Sequence, residues 1–333
     1  MKAAGILLLK TVLCFVWASL VSWGALALWF RAPMGAIFQA ALPAAWLLCA
    51  VGLMAMLVKG RMGPALTGMA ATSIALFAWW NSLQPRGQAD WSRDVARTST
   101  AEIDGDSLRV LNVRNFRWRS NIDFDERWEE REYRLSNVSG ADLFLSYWAG
   151  ESIAHAVVSF GFEDGRRLAW SIEVRKLRAE EYSAFAGFFR QNEVAMIAAD
   201  EQDVVKVRAT VRGEDVRLYR LDIRPETARR LLMAYAAEAN EVAARPRFYN
   251  TLTTNCTTIV YRLASLLDPG IPLDFRIILS GYLPGYLYEH DFLERSMPLS
   301  EIVRRASISE KAVGPANDPG FSDRIRLDIP SPR

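Results

Sequence analysis

Nucleophilic chemistry in this 333-residue chain has few residues to draw on, because the sequence holds only three cysteines and two histidines. Cys14 and Cys49 lie inside long apolar runs, which leaves Cys256. It sits in Thr253-Thr254-Asn255-Cys256-Thr257-Thr258, directly before Ile259, Val260, Leu263, Leu266 and Leu267, apolar residues three and four apart. That spacing predicts a helix opening near Asn255. Unpaired N–H groups and the macrodipole at a helix start favour a thiolate over a thiol. With no cysteine nearby to pair with, Cys256 is either a small buried packing residue or a reactive nucleophile.

A thiolate enzyme needs a base, and the choice is between His155 and His290. His155 opens the apolar run Ala156 to Phe162, near a strand end from which a side chain can project into a cleft. His290 lies in the polar turn Tyr288-Glu289-His290-Asp291, where the adjacent carboxylates solvate it, and it ranks second. The run bearing His155 is followed by Glu163-Asp164-Gly165 and a second run, Leu168 to Arg175. If those three residues form the hairpin loop, with Gly165 left-handed, Phe162 pairs with Arg166 and His155 stands opposite Glu173. Ser171 and Arg175 then share the face. A two-residue Asp164-Gly165 loop would shift the register by one and turn Glu173 away.

Other chemistries find less support. Two histidines and one candidate cysteine cannot close a zinc site without several carboxylates, and neither a phosphate loop nor a dinucleotide fingerprint occurs, so no metal or cofactor is expected. Lys and Arg number 40 against 38 Asp and Glu, and no nucleic-acid-binding module is present.

The elements that position these residues fall into two parts. Ala3–Phe30 carries only Lys10 as a charge, while the spans from Ala36 to Val58 and Pro64 to Leu83 carry none; each is long enough to cross roughly 30 Å of hydrocarbon as a helix. Three crossings put the termini on opposite sides. Lys59 and Arg61 in one loop outweigh Arg31 in the other, which places the amino terminus and the Lys59–Arg61 loop inside and the chain after Gln84 outside, in the periplasm of a Gram-negative host. Residues 1–85 are thus read as a three-helix transmembrane anchor, 86–107 as a linker and 108–333 as one exported α+β domain. Its expected strands are Leu108 to Arg119, Asp142 to Trp148, Ile153 to Phe162, Leu168 to Arg175, and a hairpin of Val204 to Val211 with Val216 to Ile223, giving an antiparallel sheet. Helices are expected around Glu180 to Glu193, over Pro225 to Ala244, and from Asn255 until Asp268-Pro269-Gly270 stops it; the tail beyond Lys311 reads as irregular.

Asn112 to Arg119, Ser146 to His155 ending in Ile153-Ala154-His155, Ser171 to Lys176, Phe185 to Arg190, and above all Phe248-Tyr249-Asn250 with Thr254-Asn255-Cys256-Thr257-Thr258, resemble the Lnb-type periplasmic domain of bacteria, named for the lipoprotein N-acyltransferase Lnb. The resemblance covers roughly residues 110–324. It implies a circularly permuted papain-like fold, histidine before cysteine, as in the lecithin:retinol acyltransferase group. It further implies that Cys256 takes an acyl chain as a thioester, that His155 activates the thiol and then an acceptor amine, and that helix-start N–H groups, with Asn255, stabilise the oxyanion. The site residues expected are therefore Cys256, His155, Glu173 and Asn255. A membrane phospholipid or a lipoprotein is the expected substrate. A cell-envelope cysteine peptidase or amidase is the competing enzyme, and a non-catalytic envelope-binding module the competing class.

The loop charges generate a direct test of orientation. A reporter active only outside the cytoplasm should be active when fused after Arg86 and silent when fused at Gly60; the reverse pattern contradicts the orientation.

Overall fold

The computed structural model describes residues 2–31, 35–268, 270–315 and 318–332; Pro269, expected to help stop the third helix of the domain, lies outside them. The chain divides into two compact units, residues 1–86 with 182–191, and residues 87–181 with 192–333.

The first unit holds α1 (Lys2–Arg31), α2 (Gly35–Val58) and α3 (Met62–Ser82). Thr11–Arg31, Ile37–Val58 and Met62–Ser82 are long and apolar enough to cross a membrane. Their lateral packing is aromatic: Trp17 meets Trp46 at 6.2 Å, Trp23 meets Trp80 edge-on at 5.0 Å, and Trp46 Nε1 donates to the Val21 carbonyl at 2.9 Å. Residues 182–191 belong to this unit. Phe189 stacks on Phe30 at 5.2 Å, and Arg190 donates to the Trp80 carbonyl at 2.7 Å.

The second unit is built on strands β1 (Thr100–Asp104), β2 (Ser107–Arg114), β3 (Arg117–Trp118), β4 (Phe124–Asp125), β5 (Trp128–Arg134), β6 (Val138–Tyr147), β7 (Ala154–Phe162), β8 (Arg167–Arg175), β9 (Glu193–Ala199) and β10 (Asp215–Arg220). Among the described residues eight of them form one sheet in the order β1-β2-β9-β8-β7-β6-β10, with β5 also on β2, while β3 and β4 pair separately. Every pairing in the sheet is antiparallel except a short parallel contact between β2 and β9. The helices are α4 (Glu201–Val204), α5 (Pro225–Ala244), α6 (Cys256–Leu267), α7 (Leu283–Glu289), α8 (Leu299–Arg305) and α9 (Phe321–Arg324).

Both faces of the sheet are covered, which is why its central strands are almost continuously apolar. On β7, Ala156, Val158 and Phe160 turn to the face where Leu232 and Tyr235 of α5 and Ile259 and Leu263 of α6 pack. Val157 turns to the other face, against Val204, Val205, Phe321 and Ile325. The tail is pinned there by Arg326, which pairs with Glu201 at 2.6 Å and Asp142 at 2.7 Å.

Several expectations are corrected. The Val204 to Val211 segment is not a strand: it follows α4 into a π-helical turn over Val207–Val211, and β10 pairs with β6 instead. Asp200 caps α4 by accepting from the Gln202 N–H at 3.0 Å, and Glu201 and Asp203 occupy its first turn, a helix-start pattern stronger than the valine count. Glu180 to Glu193 is not a helix but a turn-rich segment with one 3₁₀ turn at Ala186–Phe189, and it leads into β9. Residues 86–107 are not a free linker, since Trp91, Val95 and Ser99 are buried and Thr100–Asp104 is β1. The tail is partly irregular yet contributes Phe321, Ile325 and Ile329 to the core. Leu108 to Arg119 is interrupted after Arg114, where the chain turns to give Asp203 its partners.

Those partners make Asp203 the most heavily bonded carboxylate in the fold's second layer. Wholly buried, it pairs twice with Arg114, at 2.9 and 3.1 Å, and accepts from the Phe116 N–H at 2.9 Å and from Trp118 Nε1 at 2.7 Å. Removing one partner of such a pair strands the other charge, so Asp203→Asn should cost about 3–5 kcal/mol and lower the melting temperature by roughly 10 °C. A melting temperature equal to the parent's in the detergent-solubilised chain would contradict this assignment.

Candidate active site

Cys256 is the first residue of α6, and the sequence before it is shaped to deliver it there. Asn250 accepts from the Leu252 and Thr253 N–H groups, both at 3.0 Å, and exchanges backbone bonds with Thr254, closing a tight loop. Asn255 then caps α6: its Oδ1 accepts from the Thr258 N–H at 2.8 Å while Thr258 Oγ1 accepts from the Asn255 N–H at 2.9 Å. Asn255 Nδ2 donates to the Thr251 carbonyl at 2.7 Å. The side-chain amide expected to serve an oxyanion is thus engaged in shaping the helix start. The N–H groups of Cys256 and Thr257, in the first turn, have no intrahelical carbonyl to bond.

His155 stands second in β7, and the start of that strand is held from outside the sheet. Ser280 Oγ accepts from the Ala154 N–H at 2.9 Å and donates to the Ala154 carbonyl at 2.6 Å. Gly281 lies so close that a Cβ there would fall 1.9 Å from the Glu151 carbonyl oxygen, so this approach admits only glycine.

The β7–β8 hairpin has the three-residue loop. Phe162 bonds the Arg166 carbonyl at 3.1 Å, Gly165 is left-handed at φ +82°, and the ladder pairs Gly161 with Arg167 through Val157 with Ser171. The same register sets His155 opposite Glu173, and His155 Nε2 lies 3.5 Å from Glu173 Oε1. Ser171 stands between them, 2.8 Å from Nε2 and 2.5 Å from the carboxylate. An ionised carboxylate can only accept, so the Ser171 hydroxyl donates to Glu173 and itself accepts from His155 Nε2–H. Cys256 Sγ lies 4.0 Å from Thr257 Oγ1, and the His155 side chain and the Ala156 N–H are among the groups that act on its thiol.

Arg208, buried on the π-helical turn, completes the group. It donates to Glu173 at 2.7 Å and to the Val204 carbonyl at 2.7 Å. The electrostatics follow from this chain of alternating charge. Burial raises the Glu173 carboxyl, but Arg208 and then His155 hold it well below the usual carboxylate range. Burial and Arg208 oppose charging His155, yet Glu173 and Cys256 outweigh them and push it up to about 9. Burial likewise raises the Cys256 thiol, while the His155 charge and the hydrogen bonds from His155, Ala156 and Thr257 bring it below the ordinary thiol range. At neutral pH the site therefore holds an imidazolium backed by a carboxylate, and both the charge and the contacts of that imidazolium favour the thiolate of Cys256.

The structure thus brings Cys256, His155 and Glu173 together, with Asn255 adjacent as the helix cap. His290 is not brought to the sulfur: its ring lies against Tyr286 at 4.5 Å, with Asp274 and Glu289 as its charged neighbours. Arg175, on the expected face, instead bonds the Val95 and Ala96 carbonyls and covers the Trp91 ring. Sequence reasoning did not find Arg208, because it lies in the segment read as a strand; the Asp200 cap and the acidic turn after it were the available signal.

Residues 124–281 match the family model of the Lnb N-terminal periplasmic domain, a range that includes His155, Ser171, Glu173, Arg208 and Cys256. That part of the chain is thus similar to an Lnb-type domain. No curated protein and no solved structure matches it. The family match and the apolar helices together point to a membrane protein with a periplasmic domain. The Lnb match ends at Gly281, the residue that closes on the start of β7.

A thiolate held in this way should react with iodoacetate, too polar to enter the membrane, at pH values well below the roughly 8.5 of an unperturbed thiol. His155→Ala should raise the pH at which the rate is half-maximal, because the imidazolium is the main group lowering the thiol. A pH–rate curve matching a free thiol peptide in both proteins contradicts the ion pair.

Proposed function

We propose that this protein is a thiol-dependent acyltransferase of the bacterial inner membrane, multi-pass, whose periplasmic domain moves an acyl chain between lipid or lipoprotein substrates. The observation that carries the reading is the placement of Cys256, buried at the start of α6, beside a His155 that Glu173 keeps charged, which lowers the thiol. The order of histidine before cysteine, and a cysteine helix lying on a largely antiparallel sheet, support a permuted papain-like fold.

In the reaction proposed, the Cys256 sulfur adds to the carbonyl carbon of an ester donor, and the oxyanion that forms is met by the free N–H groups of the first turn of α6. The intermediate collapses by breaking the bond to the ester oxygen, which leaves as an alcohol with the proton of the His155 imidazolium. The acyl chain remains on sulfur as a thioester. A neutral amine then attacks the thioester carbon, His155 takes its proton, and the carbon–sulfur bond breaks to give an amide and the original ion pair. With His155 Nε2 bonded to Ser171, its Nδ1 is the nitrogen left to exchange protons with sulfur and substrate. Glu173 stays ionised throughout and orients the ring; Arg208 keeps Glu173 ionised.

An amide donor in place of the ester, its amine leaving with the His155 proton, and water in place of the acceptor amine would make the same residues a peptidase or amidase. The membrane helices favour an acyl chain, because they confine the domain beside the phase that holds it.

Transfer from a phospholipid bearing a labelled acyl chain to a lipopeptide amine, in proteoliposomes, tests the reading. Cys256→Ser and His155→Ala should each lower turnover by about 10²-fold or more, Glu173→Gln should lower it strongly, and His290→Ala should retain most of it. Turnover should rise with pH as Cys256 ionises, below the usual thiol range, and fall near 9 as the imidazolium loses its proton. Exchanged results for the two histidines, or release of free fatty acid alone, contradict an amine transferase with His155 as base.

A further inference from the structure

The segment between β8 and β9 has properties that the chemistry of Cys256 does not use. Residues 182–191 leave the sheet domain and join the unit of the membrane helices. One side of the segment faces those helices: Ala186 and Phe189 are buried, and Phe189 stacks on Phe30, one residue before the end of α1. Arg190 donates to the Trp80 carbonyl, in the last turn of α3, and lies 4.7 Å above the Trp80 ring. A cation is suited to that position, since carbonyls at a helix carboxyl end lack intrahelical donors and carry the negative end of the dipole. The other side of the segment exposes aromatic rings, Tyr182 at 49% and Phe185 at 70% of full accessibility.

Depth decides what meets those rings. α1 ends in Trp29, Phe30 and Arg31, and α3 carries Trp79 and Trp80 in its last turn. Tryptophan with a flanking cation marks the boundary between acyl chains and headgroups. A segment fastened to Phe30 and Trp80 is therefore held within about one helical turn of that boundary. Exposed rings at this depth face lipid, and Tyr is a side chain enriched there, with an apolar ring and a polar tip.

We propose that residues 182–191 form an interfacial loop whose Tyr182 and Phe185 rings lie in the headgroup–acyl boundary of the phospholipid leaflet at which α1 and α3 end. The partner is the bilayer itself, and the proposal stands whether or not Cys256 is catalytic. It gives the domain a second attachment to the membrane besides its covalent link to α3. That attachment lies on the chain directly after β8, the strand that carries Ser171 and Glu173.

The test uses the full-length chain in phospholipid nanodiscs, with Cys14, Cys49 and Cys256 replaced by alanine and a bimane label on Phe185→Cys. Phe77→Cys, within α3 and exposed, serves as the lipid reference, and Ile122→Cys, 86% accessible in the sheet domain, as the aqueous one. Phospholipid with a nitroxide high on its acyl chain should quench the Phe185→Cys label about twofold or more relative to Ile122→Cys, and aqueous iodide should quench it as little as it does Phe77→Cys. Quenching by iodide without quenching by the lipid nitroxide overturns the proposal. So does protection from both, which would mean that protein covers the ring. Tyr182→Cys gives the same reading should the first variant fold poorly.

Discussion

A carboxylate buried in a protein must be paired or it takes up a proton, and Glu173 is paired on two sides. Arg208 approaches it from the π-helical turn and the Ser171–His155 chain approaches along the sheet. Much of the surrounding architecture serves that arrangement. The three-residue hairpin loop sets the register that places His155 opposite Glu173, and α4 with its π-helical continuation lays a second layer over β8 from which Arg208 reaches back. The ionised glutamate in turn keeps the imidazole charged, and the imidazolium lowers the Cys256 thiol. The charges alternate, so the group is close to neutral, which is how four ionisable side chains share a largely desolvated space.

Cys256 reaches the strand residues of this group, Glu173 and His155, from more than eighty residues farther along the chain, and two local devices fix its position. Asn250 folds the loop before the helix and Asn255 caps it, so the backbone on either side of Cys256 has little freedom. The capping box explains why polar residues surround the cysteine: they are occupied with one another. On the opposite side, Ser280 and Gly281 fix the first residues of β7. Thiol and imidazole are thus each held by backbone contacts within two residues, the condition for a preorganised pair.

Much of this was legible in the sequence. Gly165 with the two flanking runs narrowed the hairpin to two registers, and the three-residue loop with Gly165 left-handed is the one adopted. The apolar spacing after Asn255 and the Pro225 start of α5 marked both helices of the inner face, and hydropathy marked the three spans. What remained hidden was non-local. Val204 to Val211 has strand composition yet lies across the sheet as a helix, because Asp203 is drawn to Arg114 and Val204 and Val205 fill the second face. Glu193-Val194-Ala195-Met196-Ile197-Ala198-Ala199 does not alternate, since β9 is covered on both sides, so it carries no period-two signal. Trp91 and Val95 sit in a polar stretch that resembles a linker, and non-local contacts from Arg114, Arg175, Lys176 and Leu177 show why it is ordered.

The central claim is that Cys256 is a nucleophile that carries an acyl chain. Intact-mass measurement of the purified full-length protein after incubation with membrane phospholipid tests it most directly. A mass increase equal to one acyl group, located to Cys256, released by neutral hydroxylamine and missing from Cys256→Ala, is the result this account predicts. An unmodified mass across the pH range in which the thiolate and the imidazolium coexist would contradict it, and would make the domain a binding module in which the ion pair is only structural.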